Sequence, residues 1–315
     1  MTKKTQRADE TPAGFRVSGQ TSRLRVERLD LLNKTAKDMI GQARLTEARA
    51  ILTDVIDRDP ENVDAYLHLA VAYESMGLIE DSMAAFEKAR TIAPDNPLLI
   101  SASVFAADRT PGATLEDGYK IRRQFNDLVT RRMPPILEHK NTRAPDRQLR
   151  IGYVSGDLRH HSASKVFGVV LLKHDPKHFD VCCYMTQTGE DWLTETLKAG
   201  VAHWRDASQW NNERLYEQIR ADEIDILVDL SGHSSGSRLH VFARKPAPIQ
   251  VTAWGYITGT GLDAMDYMFA DEDTILPDEE QWFSEEIVRL PRIVSFWPTD
   301  PAIVGPVQPA PYLKN

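Results

Sequence analysis

The chain has 315 residues, about twice the length of a typical domain, which favours two domains. Hydrophobic residues make up 42% of it, enough to build packed cores, while the net charge of −8 argues against a nucleic-acid-binding protein, because phosphate backbones bind cationic surfaces. No run of about 18 apolar residues occurs, so the sequence predicts neither a membrane span nor a membrane partner.

The N-terminus and the cysteines point to the cytoplasm. Residues 1–22 are charged and polar without the apolar core of a signal peptide, so we predict a disordered tail there and a cytoplasmic protein. The two cysteines, Cys182 and Cys183, are adjacent. Neighbouring residues of a strand point to opposite faces, which predicts two buried free thiols rather than a disulfide.

A 34-residue repeat occupies the first third of the chain. Pro60 and Pro94 are 34 residues apart, and each follows a run of helix-forming residues. That period is typical of tetratricopeptide repeats, in which small residues let two helices approach and large ones fill the remaining space. The same offset aligns Leu32 with Tyr66, Ala36 with Ala70, Met39 with Tyr73, Leu52 with Phe86, and Val55 with Ala89.

The repeat pattern fades after 98–107, which we interpret as the first helix of a third repeat. We interpret 114–132 as a connecting helix, which makes 23–133 a unit of helical repeats, and we interpret the proline-rich and charged stretch 134–148 as a linker. Repeats of this kind predict a groove that binds acceptor proteins or peptides.

From residue 149 the pattern changes to apolar strands that alternate with helical windows. Strands are predicted at 149–155, 179–186, 224–230, 249–254, 267–270 and 287–290, with helices at 164–173, 190–200, 211–222 and 237–244. Such alternation predicts a Rossmann-like parallel sheet over 149–315, with ligands bound beyond the carboxyl ends of its strands.

Three loops at those strand ends carry residues suited to chemistry. The first, 155–164, contains His161 just before a helix, where it has the position of a general base or of a hydrogen-bond donor to a phosphate or sugar; a plain surface histidine is the alternative. The second, 229–238, offers Gly232 and His233 for ligand contact, or forms a simple turn.

The third loop, 250–261, combines three glycines with aromatic residues. Gly255 and Tyr256 would offer backbone N–H groups and an aromatic face to a sugar or nucleotide, with a flexible turn as the alternative. His203 is expected on a short strand beside the first loop, and as an isolated residue it fits a structural role better than a functional one. No spacing predicts a metal site, and no Gly-rich phosphate loop or nucleophile elbow occurs.

Read together, these segments resemble one family. Residues 149–157 with His161, residues 225–238, and residues 242–267 are similar to the opening of the catalytic region of the O-linked N-acetylglucosamine transferases, glycosyltransferase family 41, including its SPINDLY-like group. The order, repeats first and the α/β region second, is also that of the family.

The resemblance implies a GT-B fold, of which 149–315 would be the N-terminal lobe. It implies inverting transfer of N-acetylglucosamine from UDP-GlcNAc to Ser or Thr of proteins, with no metal and no cofactor beyond the donor substrate. His161 and His203 match histidines of the family's catalytic cleft, and Gly255 matches the glycine that approaches the sugar. The resemblance does not identify the general base.

The chain departs from the family pattern in the third loop and at its end. Trp254 stands where the family has Leu, Ile257 and Ser162 stand where it has Pro, and the second lobe, which holds most contacts to UDP, is expected outside these 315 residues. We therefore expect the 315-residue chain alone to transfer no sugar. Two alternatives stay open, a non-catalytic adaptor with a scaffold lobe and a related fucosyltransferase that uses GDP-fucose.

Overall fold

The computed structural model describes residues 18–293, with side chains from residue 26 onward. Residues 1–17 of the predicted disordered tail lie outside the described residues. Residues 18–22 begin the first helix, so the prediction of disorder is wrong for these five residues. The end of the predicted lobe, 294–315, also lies outside them. The chain divides into two compact units between Pro94 and Asp95.

The first unit consists of two helical pairs. Helices α1 (Ser18–Gly41) and α2 (Leu45–Arg58) form one pair, and α3 (Val63–Ser75) and α4 (Ile79–Ile92) form the other. The small residues that the repeat predicted between helices, Ala36 and Ala70, are completely buried. Because the side chain of Asn62 caps α3 and accepts a hydrogen bond from Asn33 of α1, the cap also joins the two pairs.

The first helix of the third repeat belongs to the second unit. Helix α5 (Pro97–Ala107) begins 34 residues after α3, as the repeat requires, but it packs with α6 (Leu115–Arg132) against the sheet. The predicted boundary at residue 133 is therefore wrong. The physical reason is that α5 is apolar on all sides and needs two partners to bury its surface.

Seven parallel strands form the sheet of the second unit. Their order is β3-β2-β1-β4-β5-β6-β7, and all of the predicted strands are present within two residues of their predicted ends. The strands are β1 (Leu149–Ser155), β2 (Phe179–Met185), β3 (His203–Asp206), β4 (Ile226–Asp229), β5 (Ile249–Thr252), β6 (Tyr267–Ala270) and β7 (Glu286–Arg289).

Helices cover both faces of this sheet. The connections supply α7 (Ser162–Leu171), α8 (Trp192–Gly200), α9 (Asn212–Ala221) and α10 (Leu239–Phe242). One core contains side chains of α5, α6, α9 and α10, and the other contains side chains of α7 and α8. Cys182 lies in the first core and Cys183 in the second, both as free thiols, as their adjacency in a strand predicted.

The predicted linker, 134–148, is fixed to the second unit. The Asp225 carboxylate accepts hydrogen bonds from both terminal nitrogens of Arg147 at 2.6 Å and from the Asn141 amide at 2.7 Å. It also accepts from the backbone N–H of Arg150 at 2.9 Å. A segment held in this way is an irregular part of the lobe, not a spacer between domains.

We predict that Asp225→Asn destabilises the second unit. Burial alone would raise the pKa of Asp225, but the bonds from Arg147, Arg150 and Asn141 outweigh it and the net pKa is lowered. The stabilisation is therefore present above about pH 4 and is lost as the pH falls through the folded pKa. Asn cannot accept all four bonds, so we expect a loss of about 2 kcal/mol in the free energy of unfolding at pH 7.

Urea unfolding followed by tryptophan fluorescence measures this loss, because all six tryptophans lie at residue 192 or later. Glu223→Gln, which changes an exposed carboxylate next to Asp225, is the matched control and should have little effect. An Asp225→Asn variant as stable as the wild type at pH 7 would contradict the assigned anchoring role.

Candidate functional site

The loops that follow β1 and β4 meet at the middle of the carboxyl edge of the sheet. β1 and β4 are neighbours, and the chain order runs outward from them in both directions, so a crevice forms between the loops that leave these two strands. The loops are also bonded to one another, since the Ser231 hydroxyl accepts a hydrogen bond from the backbone N–H of Gly156 at 3.3 Å. Ligands of open α/β sheets bind at this position.

His161 is an exposed histidine of this edge, as is its neighbour His160. His161 is the N-cap of α7, where its Nδ1 accepts a hydrogen bond from the Ala163 N–H at 3.3 Å, and its side chain is 45% exposed. Asp157 lies on the same loop, with a carboxylate oxygen 3.6 Å from Nδ1. Because an accepting nitrogen carries no proton, neutral His161 has its proton on Nε2 and can donate it to a ligand oxygen.

Asp157 is a second polar residue of this loop, which the sequence did not predict as a site residue. Its backbone N–H donates to the Ser155 hydroxyl, and its carbonyl accepts from the Ser164 hydroxyl, so both ends of the loop are tied to it. The carboxylate is thus held beside His161 at the start of a helix. Its proximity to His161 depends on the conformation of the irregular loop before α7, so no sequence spacing predicts it.

His203 does not lie beside the first loop, so that expectation is wrong. It is the first residue of β3 and pairs with Cys182, three residues before the end of β2, and its Nε2 lies 3.2 Å from the Asp180 carboxylate. It lines a pocket at the opposite end of the sheet from His161, together with Arg150, Arg205 and Asp222. The strand register, which the sequence did not reveal, sets this position.

His233 is a buried structural residue, which corrects its prediction as a ligand contact. Only 3% of it is exposed. Its Nδ1 bonds to the Ser101 hydroxyl of α5 at 2.9 Å, and its Nε2 donates to the Thr260 carbonyl at 2.8 Å. Burial lowers the pKa of His233 to about 4, so that the ring is neutral at physiological pH and has no nitrogen free for a ligand.

The two site glycines are required for close packing of the second and third loops. A Cβ on Gly255 would lie 1.7 Å from the carbonyl oxygen of Leu230, and one on Gly232 would lie 2.4 Å from Cβ of Tyr256. Gly232 also has a φ of +51°. These contacts explain why glycine is needed at both positions.

The third loop is a strained turn. Trp254 adopts a φ of +53°, which bulky residues rarely do, and its indole N–H donates to the carbonyl of Ile293. Tyr256 is nearly buried, and its hydroxyl donates to the Asp108 carboxylate at 2.7 Å. An apolar cavity of about 90 Å³ lies against Trp254, Tyr256 and Ile257.

The buried carboxylate of Asp229 organises the second loop. It accepts hydrogen bonds from the backbone N–H groups of Ser231 and Gly232 and from the hydroxyl of Thr252. Burial raises the pKa of Asp229 to about 6, an effect that these three donors oppose. This residue therefore changes charge within the range of ordinary buffers.

Neither a metal cluster nor a membrane span is found in the described part of the chain. No group of three or more His, Cys, Asp or Glu side chains among residues 18–293 is arranged to hold a metal ion. Within the same residues, no helix is both long and apolar enough to cross a membrane.

We predict that Gly255→Ala disrupts the third loop. The added methyl group would overlap the backbone of Leu230, which cannot move away as a side-chain end can, so we expect a loss of about 3 kcal/mol in the free energy of unfolding. Gly112→Ala is the control. Gly112 has a positive φ, which Gly255 does not, but open space surrounds its Cβ position, so the change should cost only about 1 kcal/mol. Equal losses in the two variants, measured by tryptophan fluorescence in urea, would contradict the assigned close packing.

We also predict that Asp229 makes stability depend on pH. Because its pKa is higher in the folded than in the unfolded chain, its contribution is complete below about pH 4 and is lost as the pH rises through 6. Between pH 4 and 7 the free energy of unfolding should fall by about 2–3 kcal/mol from this group. Asp229→Asn should lack this component, and parallel pH curves for the two proteins would show that Asp229 does not titrate in this range.

Comparison with known protein families covers both units. A sequence profile described as glycosyl transferase family 41 matches residues 126–300, more than half of the chain, and a tetratricopeptide repeat profile matches residues 39–102. The second match ends within α5, which has the repeat spacing although it packs with the second unit.

Curated relatives and a solved structure agree with these matches. The chain is 34% identical to the probable UDP-N-acetylglucosamine–peptide N-acetylglucosaminyltransferase SPINDLY of Solanum lycopersicum over 62% of its length, and 33% identical to that of Oryza sativa over 73%. The structure of the K341M mutant of the Thermobaculum terrenum O-GlcNAc transferase matches 88% of the chain with a TM-score of 0.80 and 29% identity.

The match covers only part of each of these proteins. The chain spans 22% and 25% of the two SPINDLY relatives and 53% of the solved structure's chain. The family profile nevertheless covers the whole sheet and all three of its carboxyl-edge loops. The chain belongs to glycosyl transferase family 41.

Proposed function

We propose that this protein acts in the transfer of N-acetylglucosamine from UDP-GlcNAc to Ser or Thr side chains of other proteins. The observation that carries the proposal is the family 41 match across the edge that bears His161 and Asp157, joined to relatives named as peptide N-acetylglucosaminyltransferases. The reaction belongs to those relatives by name. For this chain it is an inference.

The reaction requires three things of the residues near the sugar. An acceptor hydroxyl forms a bond to the anomeric carbon while the bond from that carbon to the diphosphate oxygen breaks, and UDP leaves with the electron pair. Inversion follows when attack and departure are on opposite faces. The hydroxyl proton must pass to a base, and the charge on the departing diphosphate must be stabilised.

His161 and Asp157 have the chemistry for part of this task. Neutral His161, with its proton on Nε2, would donate a hydrogen bond to an oxygen of the donor or acceptor. The Asp157 carboxylate beside it would accept a proton directly or through water. In this form His161 is the hydrogen-bond donor and Asp157 is suited to be the base, and His161 and Asp157 are proposed as a pair for that reason. No metal or other cofactor is needed for this arrangement.

The roles of the other predicted residues follow from their surroundings. We propose that the turn containing Gly255 and Tyr256 lines the sugar pocket and that the helical repeats bind the acceptor protein. Gly232 and His233 would hold that turn in place, because Gly232 packs against Tyr256 and His233 bonds to Thr260. His203, near Asp180, is proposed as a structural residue.

The proposal is tested with the complete product of the gene. The protein is incubated with UDP-GlcNAc or with GDP-fucose on an array of Ser- and Thr-containing peptides, and mass spectrometry detects the added sugar. We expect addition of N-acetylhexosamine from UDP-GlcNAc. Transfer of fucose alone would replace the proposed donor, and peptide binding without any transfer would favour an adaptor.

We predict that His161→Ala lowers the transfer rate by about 100-fold or more, because proton transfer and charge stabilisation by a positioned side chain contribute about that much. His178→Ala is the control, since His178 is an exposed surface histidine that also pairs with an aspartate, Asp175. Loss of activity in both variants, or in neither, would contradict the role proposed for His161.

A further inference from the structure

Asp108 connects helix α5 to the third loop. It is the C-cap residue of α5, and one of its carboxylate oxygens accepts hydrogen bonds from both the Tyr256 and the Thr258 hydroxyls, each at 2.7 Å. The other oxygen accepts from the Arg122 guanidinium of α6 at 3.1 Å. Three donors from two separate parts of the chain thus converge on one carboxylate.

Arg122 of α6 holds this carboxylate in place through a buried ion pair. Its side chain is only 1% exposed, and that of Asp108 is 16% exposed, so the pair is largely removed from water. A buried guanidinium needs an anionic partner, because an unpaired buried charge is costly. Removing the charge of Asp108 would therefore disturb both Arg122 and the loop.

Two glycines leave room for the pair. A Cβ on Gly118 would lie 2.6 Å from the Asp108 carboxylate and 2.9 Å from the Arg122 guanidinium. A Cβ on Gly261 would lie 2.5 Å from Cβ of Arg122. Gly118 therefore leaves room for the charged groups themselves, and Gly261 lets the third loop pack against the α6 backbone at Arg122.

The turn held by Asp108 is one that needs external support. Trp254 has a positive φ, and Gly255 lies against the backbone of Leu230, so this conformation is not one that the chain would adopt by itself. Tyr256 and Thr258 are two residues apart in the chain, and their hydroxyls donate to the same carboxylate oxygen. This fixes the position of the turn relative to α5. The Phe105 ring adds a contact to Tyr256, with 6.0 Å between ring centroids.

We propose that Asp108 is a positioning residue that sets the shape of the 254–258 turn and, through it, the affinity for the sugar nucleotide. The second part of this inference rests on the proposed function, because it takes the turn as a wall of the sugar pocket. Asp108 itself acts through Tyr256 and Thr258, by holding their hydroxyls.

The first test measures the turn directly. Hydrogen exchange followed by mass spectrometry compares the wild type with Asp108→Asn. The amide of Asn has one acceptor oxygen and an NH₂ group, so it cannot accept from Arg122 and from both hydroxyls. We expect exchange of the peptide that covers residues 254–261 to become at least about 10-fold faster, and that of β1 to stay unchanged.

Glu116→Gln is the matched control, since it also converts a carboxylate to an amide on this helix pair, but in an exposed pair with Lys120. It should leave the 254–261 peptide unchanged. If Asp108→Asn leaves exchange of that peptide as in the wild type, or if Glu116→Gln accelerates it equally, the positioning role is refuted.

The second test measures transfer by the complete gene product. Asp108→Asn and Tyr256→Phe should each raise KM for UDP-GlcNAc by about 10-fold with little change in kcat. The double variant should be no worse than Asp108→Asn alone, because that change already breaks the bond that Tyr256→Phe removes. Fully additive effects, or a loss confined to kcat, would refute the link to sugar binding.

The two tests separate this inference from the proposed function. A wild-type protein that transfers no sugar refutes the proposed function and the link to sugar binding, while hydrogen exchange still decides whether Asp108 holds the turn. Should Asp108→Asn fold poorly, Thr258→Val removes one of the two hydroxyl bonds alone. It should accelerate exchange of the 254–261 peptide, and no acceleration counts against the proposal.

Discussion

Buried polar contacts between α5, α6 and the carboxyl-edge loops determine the arrangement of the candidate site. His233 bonds to Ser101 of α5 and to the Thr260 carbonyl, while the Asp108–Arg122 pair holds Tyr256 and Thr258. His233, Arg122 and Tyr256 are largely removed from water, so losing one of their partners leaves a buried polar group unsatisfied. The helix pair is therefore a structural part of the α/β lobe, and the loops would not keep this conformation without it.

Two histidines at this edge, His161 and His233, differ in what they can do because their surroundings differ. His161 is an N-cap with an exposed ring beside a carboxylate, whereas His233 is buried with both nitrogens engaged. The first can exchange a proton or donate a hydrogen bond to a ligand, and the second can only hold two segments together. The same residue type is thus accessible to a ligand at one position and structural at the other.

Much of the fold could be predicted from local pattern, while much of the site could not. The 34-residue period and the apolar strand runs are local signals, and the helical pairs, the parallel strands and the opposite faces of Cys182 and Cys183 followed from them. Helix α5 was assigned to the repeats because its spacing fits them. Its apolar residues on every side were the sign that it packs elsewhere. The roles of His233 and His203 depend on a contact 132 residues away and on strand register, respectively, and neither is visible in spacing.

Native-state hydrogen exchange of the whole chain tests the central claim, that α5 and α6 form one cooperative unit with the sheet. Amides of α5, α6, β1 and β4 are followed as denaturant is raised in the native range. We expect α5 and α6 to open together with β1 and β4, at one common free energy and with one dependence on denaturant. Opening of α5 and α6 together with α1–α4, while β1 and β4 stay protected, would contradict the account.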